Sequence, residues 1–182
     1  MKKADQNQTK HGNYLRFFAM IGTSMFIMYI LMYLNSYQIL DHAWFSETRL
    51  FMNTMLGGSM MAIMHFFMLG MYKNKKANIA IFIGAAIMLV GSIWLVRSQA
   101  TVDGVDYMEG MIPHHSIAIL TSERAAIEDP RVRELADDII KAQRTEIKEM
   151  EWLIQDIEAN GIAETEEEAE ARPVPDFAAT PE

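Results

Sequence analysis

The apolar residues of this chain gather into three runs almost free of charge, at 17–34, 50–72 and 79–96, and beyond them apolar positions recur on one side only. Each run is close to the roughly 20 residues a helix needs to cross a bilayer. Buried core helices are the alternative reading, but Asn53 and His65 are nearly the only strongly polar side chains in all three runs. Three transmembrane helices are therefore predicted.

After Arg97 the period becomes that of amphipathic helices. Asp103 can cap a helix running to about Ile127, and Glu128-Asp129-Pro130 then supplies a turn, with Asp129 as N-cap and Pro130 at the first helical position. In the second helix Val132, Leu135, Ile139, Ala142, Met150, Leu153 and Ile157 recur at three and four, as one buried stripe would, and Asn160-Gly161 is a natural stop. From Ile162 the chain is acidic and proline-bearing with little to bury, which predicts a disordered tail. The expected class is all-α: a membrane domain over 1–97, an extracytoplasmic antiparallel two-helix hairpin over 98–161, and a disordered acidic tail over 162–182. Two such helices make a thin core by themselves. Docking on the membrane portion, a bound metal or a second copy completing a four-helix bundle could each thicken it, and a homo-oligomer is the favoured option.

Charge orients the chain. Lys2, Lys3, Lys10 and Arg16 precede the first run and Lys73, Lys75 and Lys76 fill the turn between the second and third, whereas the first loop holds only Arg49. Basic segments stay cytoplasmic, so the N-terminus is expected inside and everything after Arg97 outside, in the arrangement of a multi-pass protein of a bacterial cytoplasmic membrane. From Ser98 onward 7 Lys and Arg face 21 Asp and Glu, a balance that argues against nucleic acid as a partner. The first run is long and no small-x-small cleavage site follows it before Asp41, so it is expected to be retained in the bilayer.

The chain has 16 Met and no Cys. Met108-Glu-Gly-Met111-Ile-Pro-His114-His115 crowds two thioethers and two imidazoles into about two helical turns, a mixture of soft donors that suits copper, Cu(I) above all. Hard cations call for oxygen, and structural zinc usually recruits thiolate. Met108, Met111 and His115 share one helix face, with His114 about 100° round from His115. Pro113 removes a hydrogen bond to the Glu109 carbonyl and gives cause for a bend, and Gly110 loosens the same turn. Reflection about Asp129 pairs Met108 with Met150, Met111 with Ile147 and His115 with Gln143, with Glu146 in the same layer. Glu146 stands where the apolar stripe expects an apolar residue, so a histidine or a metal is a natural partner for its carboxylate. Any one Met alone is better explained by core filling; the group in one layer points to a metal.

Twelve of the Met lie in the apolar runs. Met25, Met28 and Met32 follow helical spacing, Met61, Met64, His65 and Met68 line one side of the second run, and a histidine near mid-bilayer suggests function or a polar partner. His42, Met52 and Met55 are expected at the outer mouth of the spans, where they could accept copper from the external helices. Flexible apolar packing, aided by Gly57 and Gly58, is the plain alternative for the membrane Met.

The run Asp106-Tyr107-Met108, then Met111-Ile-Pro-His114-His115 followed by Ala118-Ile119, and later Ala142-Gln143, Glu146-Ile147, Met150 and Trp152, resembles the bacterial family known as domain of unknown function 305, which includes CopM-like copper-binding periplasmic proteins. The resemblance covers about 103–159. It implies a short helical bundle related to the ferritin-like fold, copper binding and tolerance, and ligand roles for Met108, Met111, His114, His115 and Met150. Thr121 stands where that family commonly has a further Met. The expected function is thus a membrane-anchored, non-enzymatic protein that sequesters or transfers Cu(I). A ferritin-like di-iron oxidase is a rival, although neither histidine has a Glu three residues before it, and so is a structural or partner-binding subunit without metal. No nucleophile arrangement, phosphate loop or dinucleotide fingerprint is present.

Overall fold

A computed structural model describes residues 2–38 and 40–179, with side chains described from 14 to 38 and from 40 to 178. The side chains of Lys2, Lys3 and Lys10, on which part of the orientation rests, and the last three residues of the expected tail lie outside the described residues. The described residues hold α1 (Lys2–Leu31), α2 (Glu47–Phe67), α3 (Lys75–Ser98), α4 (Gly104–Arg124), α5 (Pro130–Asn160), α6 (Glu166–Ala171) and a 3-10 turn at Phe177–Ala179, and no strand. They divide into two compact units: Met1–Met32 with Thr48–Thr101, and Tyr33–Glu47 with Val102–Glu182.

The first unit holds three helices long and apolar enough to cross a membrane, at Tyr14–Leu31, Glu47–Phe67 and Lys75–Ser98. All three expected runs are helical, but their ends move. The helix of the second run stops at Phe67 rather than 72, because 68–74 turn back through Gly70 to Asn74, whose side chain caps α3 by accepting from the Lys76 and Ala77 N–H groups. Hydropathy could not see that turn, since Met68, Leu69, Met71 and Tyr72 are apolar while making it. One seam of α2 is buried, Arg49, Asn53, Gly57, Met61 and His65, stepping by four residues. Two of its polar members reach the backbone of α1 and the residue that follows it: Asn53 donates to the Met25 carbonyl and Arg49 to the Met32 carbonyl, both at 3.0 Å. Phe17, Ile21, Met61, Tyr72, Ile81 and Ala85 form the core.

In the second unit α4 and α5 pack along each other around Met108, Ile112, Ile119, Ile147 and Ile154, with Ile140, Met150, Leu153 and Ile157 at the margin. Both helix starts obey local chemistry. Asp103 accepts from the Val105 and Asp106 N–H groups, and Asp106 reaches back to the Asp103 N–H in a capping box. Asp129 caps α5 with Pro130 at its first position, and Gly161, at φ +80°, ends it.

Three expectations need correction. The α5 stripe divides: Val132, Leu135, Ile139 and Ala142 are exposed, while Ala136, Ile147 and Ile154 are buried. A 3.6-residue period drifts across a 31-residue helix, so one straight stripe cannot track one partner. The tail is not structureless. Thr165 caps α6 through the Glu168 N–H, and Arg172 pairs with Asp156 at 2.7 Å and donates to the Gly161 carbonyl, tying it to the end of α5. Composition hid these caps beneath a run of Glu. Finally Tyr33–Glu47, which the expected membrane domain over 1–97 takes in, folds with α4 and α5: Tyr37 and Trp44 pack on their core.

Candidate metal centre on α4 and α5

Two faces of α4 are covered. Met108, Ile112, His115 and Ile119, spaced four, three and four, are buried along one of them. Round the helix, Gly110 and Ser116 receive the Tyr33–Glu47 segment. The Tyr37 N–H donates to Ser116 Oγ at 2.6 Å, and His42 Nδ1 lies 2.8 Å from the same oxygen. A Cβ built on Gly110 would stand 3.2 Å from Ser46 Oγ, so this glycine permits the close approach. Arg144 of α5 stacks over the Tyr37 ring at 5.7 Å and pairs with Glu123 of α4.

His115 is the centre of the layer. Its Nδ1 lies 2.9 Å from the Met111 carbonyl, and a carbonyl only accepts, so Nδ1 carries the proton of this contact. Nε2 then faces α5, where it lies 2.8 Å from Glu146 Oε2. A neutral ring of that tautomer turns a lone pair toward a carboxylate, and so close an approach calls for a shared proton or cation. Gln143 donates to the same carboxylate oxygen at 3.2 Å. An imidazole held by Nδ1–H on a backbone carbonyl, with Nε2 directed at an acceptor, has the outer-shell arrangement common to metal-ligating histidines.

The structure thus brings together His115, Glu146 and Gln143, and places Met108 and Met150 in the apolar cluster of the same two helices. Met111 contributes its carbonyl; its side chain is half-buried. His114 is exposed, its ring 6.0 Å from that of His115 at 67°, as the 100° offset expects. The expected pairing of His115 with Gln143 shifts by one turn to Glu146. Among the described residues no three His, Asp or Glu side chains gather as a metal cage. Met52, Met55 and His65 belong to the other unit, and His42 faces Ser116. Tyr37, Ser46 and Ser116 were missed from the sequence, since a serine inside a helix carries no local sign of what it touches.

Acid–base groups around the layer are perturbed by burial. Desolvation pushes the His42 imidazole below its ordinary range, and the neighbouring Asp41 carboxylate opposes this in part. Desolvation raises Glu151, helped by Asp41, and raises Glu109, helped by Asp106, Glu158 and Asp103.

Membrane-length helices and a buried, oriented imidazole between two amphipathic helices define an all-α, membrane-associated protein with a histidine- and methionine-bearing helical domain. Residues 104–180 match the family described as "Domain of unknown function (DUF305)", and the chain belongs to it. The match takes in α6, in keeping with an ordered tail. The chain is also similar to "Uncharacterized protein L153" of Acanthamoeba polyphaga mimivirus, at 34% identity over 108 residues, 58% of this chain and 69% of that protein. No solved structure matches.

Proposed function

We propose that α4 and α5 form an antiparallel hairpin, half of a ferritin-like bundle, that binds copper as Cu(I) outside a bacterial cytoplasmic membrane and sequesters or hands over the ion in copper tolerance. The three membrane-length helices anchor it, with the N-terminus cytoplasmic. The observation that carries this reading is His115, fixed by the Met111 carbonyl with Nε2 turned to Glu146, in a chain whose remaining soft donors nearby are Met108, Met111, Met150 and His114. Cu(I) would be held by His115 Nε2, the ring nitrogen left free by the Nδ1 contact, and thioethers would complete a soft ligand set. The Met111 carbonyl, held by Nδ1–H, orients the ring, and Glu146 would place a carboxylate beside the bound ion. The acidic surface raises local cation concentration. A di-iron oxidase would need carboxylates clustered with histidines, a grouping that the described residues do not supply.

Anaerobic competition titration of the full chain with a chromophoric Cu(I) chelator tests the proposal. His115→Ala is expected to weaken binding by about 10-fold or more, and Glu146→Gln by less. Identical isotherms for wild type and His115→Ala would overturn it.

A second reading, a partner-binding membrane subunit, draws on the exposed Val132, Leu135 and Ile139 of α5. A second copy of this chain is the occupant that would complete a four-helix bundle. Under that reading deletion leaves copper tolerance unchanged while a complex is lost.

A further inference from the structure

His65 is fully buried, and neither ring nitrogen has a hydrogen-bond partner. It lies in the last turn of α2 rather than near mid-bilayer, enclosed by the rings of Phe17 at 5.5 Å, Tyr72 at 5.2 Å and Phe82 at 5.1 Å. Asn78 comes close to the ring without completing a hydrogen bond to it, because its amide accepts from the Tyr14 hydroxyl at 2.8 Å and donates to the Tyr72 carbonyl at 2.9 Å. An imidazole stripped of water and left without partners costs free energy. Inside a membrane such a group points to a ligand.

The surroundings say which kind. His65 ends the buried seam Arg49, Asn53, Gly57, Met61, His65. Asn53 Oδ1, on the same seam, is also buried without a partner, so three of the five buried, unpartnered side-chain polar atoms among the described residues lie on this line. The non-carbon donors along it are otherwise sulfur. Met61 sits one turn from His65 on the same face, 5% exposed, and the Met25 thioether lies against Gly57, where a Cβ would collide with it. Met60, Met64, Met68 and Met88 pack around the same core. Among the described side chains of α1, α2 and α3 the one carboxylate is Glu47, at the opposite end of α2 from His65, so a divalent cation would meet no balancing charge among them. A soft, singly charged d10 ion with a preference for imidazole and thioether fits, and its small charge makes it the least costly cation to desolvate.

We propose that His65 and Met61 form a second binding site for a soft monovalent cation, Cu(I) or its mimic Ag(I), within the membrane-length helices and separate from the α4–α5 centre. Its choice of ion rests on the copper reading of α4 and α5; its geometry does not. Binding gives the orphaned ring nitrogen a partner, and no change of oxidation state takes part.

Full-length protein with 15N-labelled histidine in lipid nanodiscs, titrated with Ag(I), reads the two sites separately. The expected result is a shift of the His65 ring-nitrogen signal, assigned by its loss in His65→Phe, which persists in His115→Ala. Met61→Leu keeps packing volume and is expected to weaken that shift by about 10-fold in Ag(I) concentration. Helical circular dichroism checks that each variant is folded. If His115 responds to Ag(I) and His65 does not, the intramembrane site is overturned while the α4–α5 reading stands. If His65 responds and His115 does not, the reverse holds, and if neither responds both fall.

Discussion

Ser116 has no exposed surface, and its hydroxyl meets the Tyr37 N–H on one side and the His42 ring on the other. Replacing it with valine crowds one extra methyl into the site and leaves a backbone donor and an imidazole nitrogen unpaired. Ser116→Val is expected to destabilise the second unit by about 1–3 kcal/mol, read from chemical unfolding in detergent. Glu146→Gln removes the carboxylate facing His115 Nε2, which is 47% exposed, and is expected to cost no more than about 1 kcal/mol. His42 sets a pH dependence. Its folded pKa lies below the ordinary 6.5, so in the window just beneath 6.5 the unfolded chain binds more protons than the folded one. The stability that rests on a neutral, buried His42 is fully present above about pH 6.5 and erodes as pH falls through that window. Glu109 and Glu151, raised above 4.5, act oppositely, since acidification toward 4.5 relieves their buried charge. Melting curves at pH 7.5 and 5.5 should therefore differ more for wild type than for His42→Asn. Equal differences would remove His42 as the cause.

At the scale of elements, adjacent glycines in α2 do unequal things. A methyl at Gly58 would meet the Ala85 carbonyl oxygen, the Leu89 nitrogen and Met88 Cβ, each at 3.1 Å, and two of these are backbone of α3. A methyl at Gly57 meets only the far end of Met25, which can swing. Gly58→Ala is expected to cost about 1–3 kcal/mol and Gly57→Ala distinctly less, measured by denaturing-detergent titration of the micelle-bound protein. Elements of this kind were legible from sequence wherever a local signal fixes them. Asp103, Asp129-Pro130 and Gly161 begin and end helices by chemistry confined to a few residues, and the membrane-length runs follow from composition. Meetings between distant segments left no such mark. The turn at 68–74 was hidden by its own apolarity, the α6 cap by surrounding Glu, and the seating of Tyr33–Glu47 by depending on one glycine and one serine of α4, 64 and 79 residues from their partners. The candidate centre was legible in part for the same reason. Spacing along α4 placed Met108 and His115 on one face, but which α5 residue meets His115 depends on how two helices slide, and one turn of slip exchanges Gln143 for Glu146.

The whole molecule is asymmetric in charge: 7 Lys and Arg against 21 Asp and Glu from Ser98 onward, and three lysines, Lys73, Lys75 and Lys76, in the turn before the third membrane-length helix and at its start. If the basic turn stays on the cytoplasmic side, residues after α3 are extracytoplasmic, where thiols oxidise and thioethers remain usable ligands. The absence of cysteine makes this directly measurable. Single cysteines at the exposed positions Lys75, Glu134 and Glu170 give three reporters on a thiol-free background. With a membrane-impermeant maleimide applied to intact cells, Glu134→Cys and Glu170→Cys are expected to label, and Lys75→Cys only after lysis. The opposite pattern would put the α4–α5 helices in the reducing cytoplasm, where thiol buffers hold Cu(I) more tightly than a methionine- and histidine-based site can compete for. Topology therefore decides whether the donor set makes chemical sense, because soft ligands without thiolate are an advantage on one side of the membrane only.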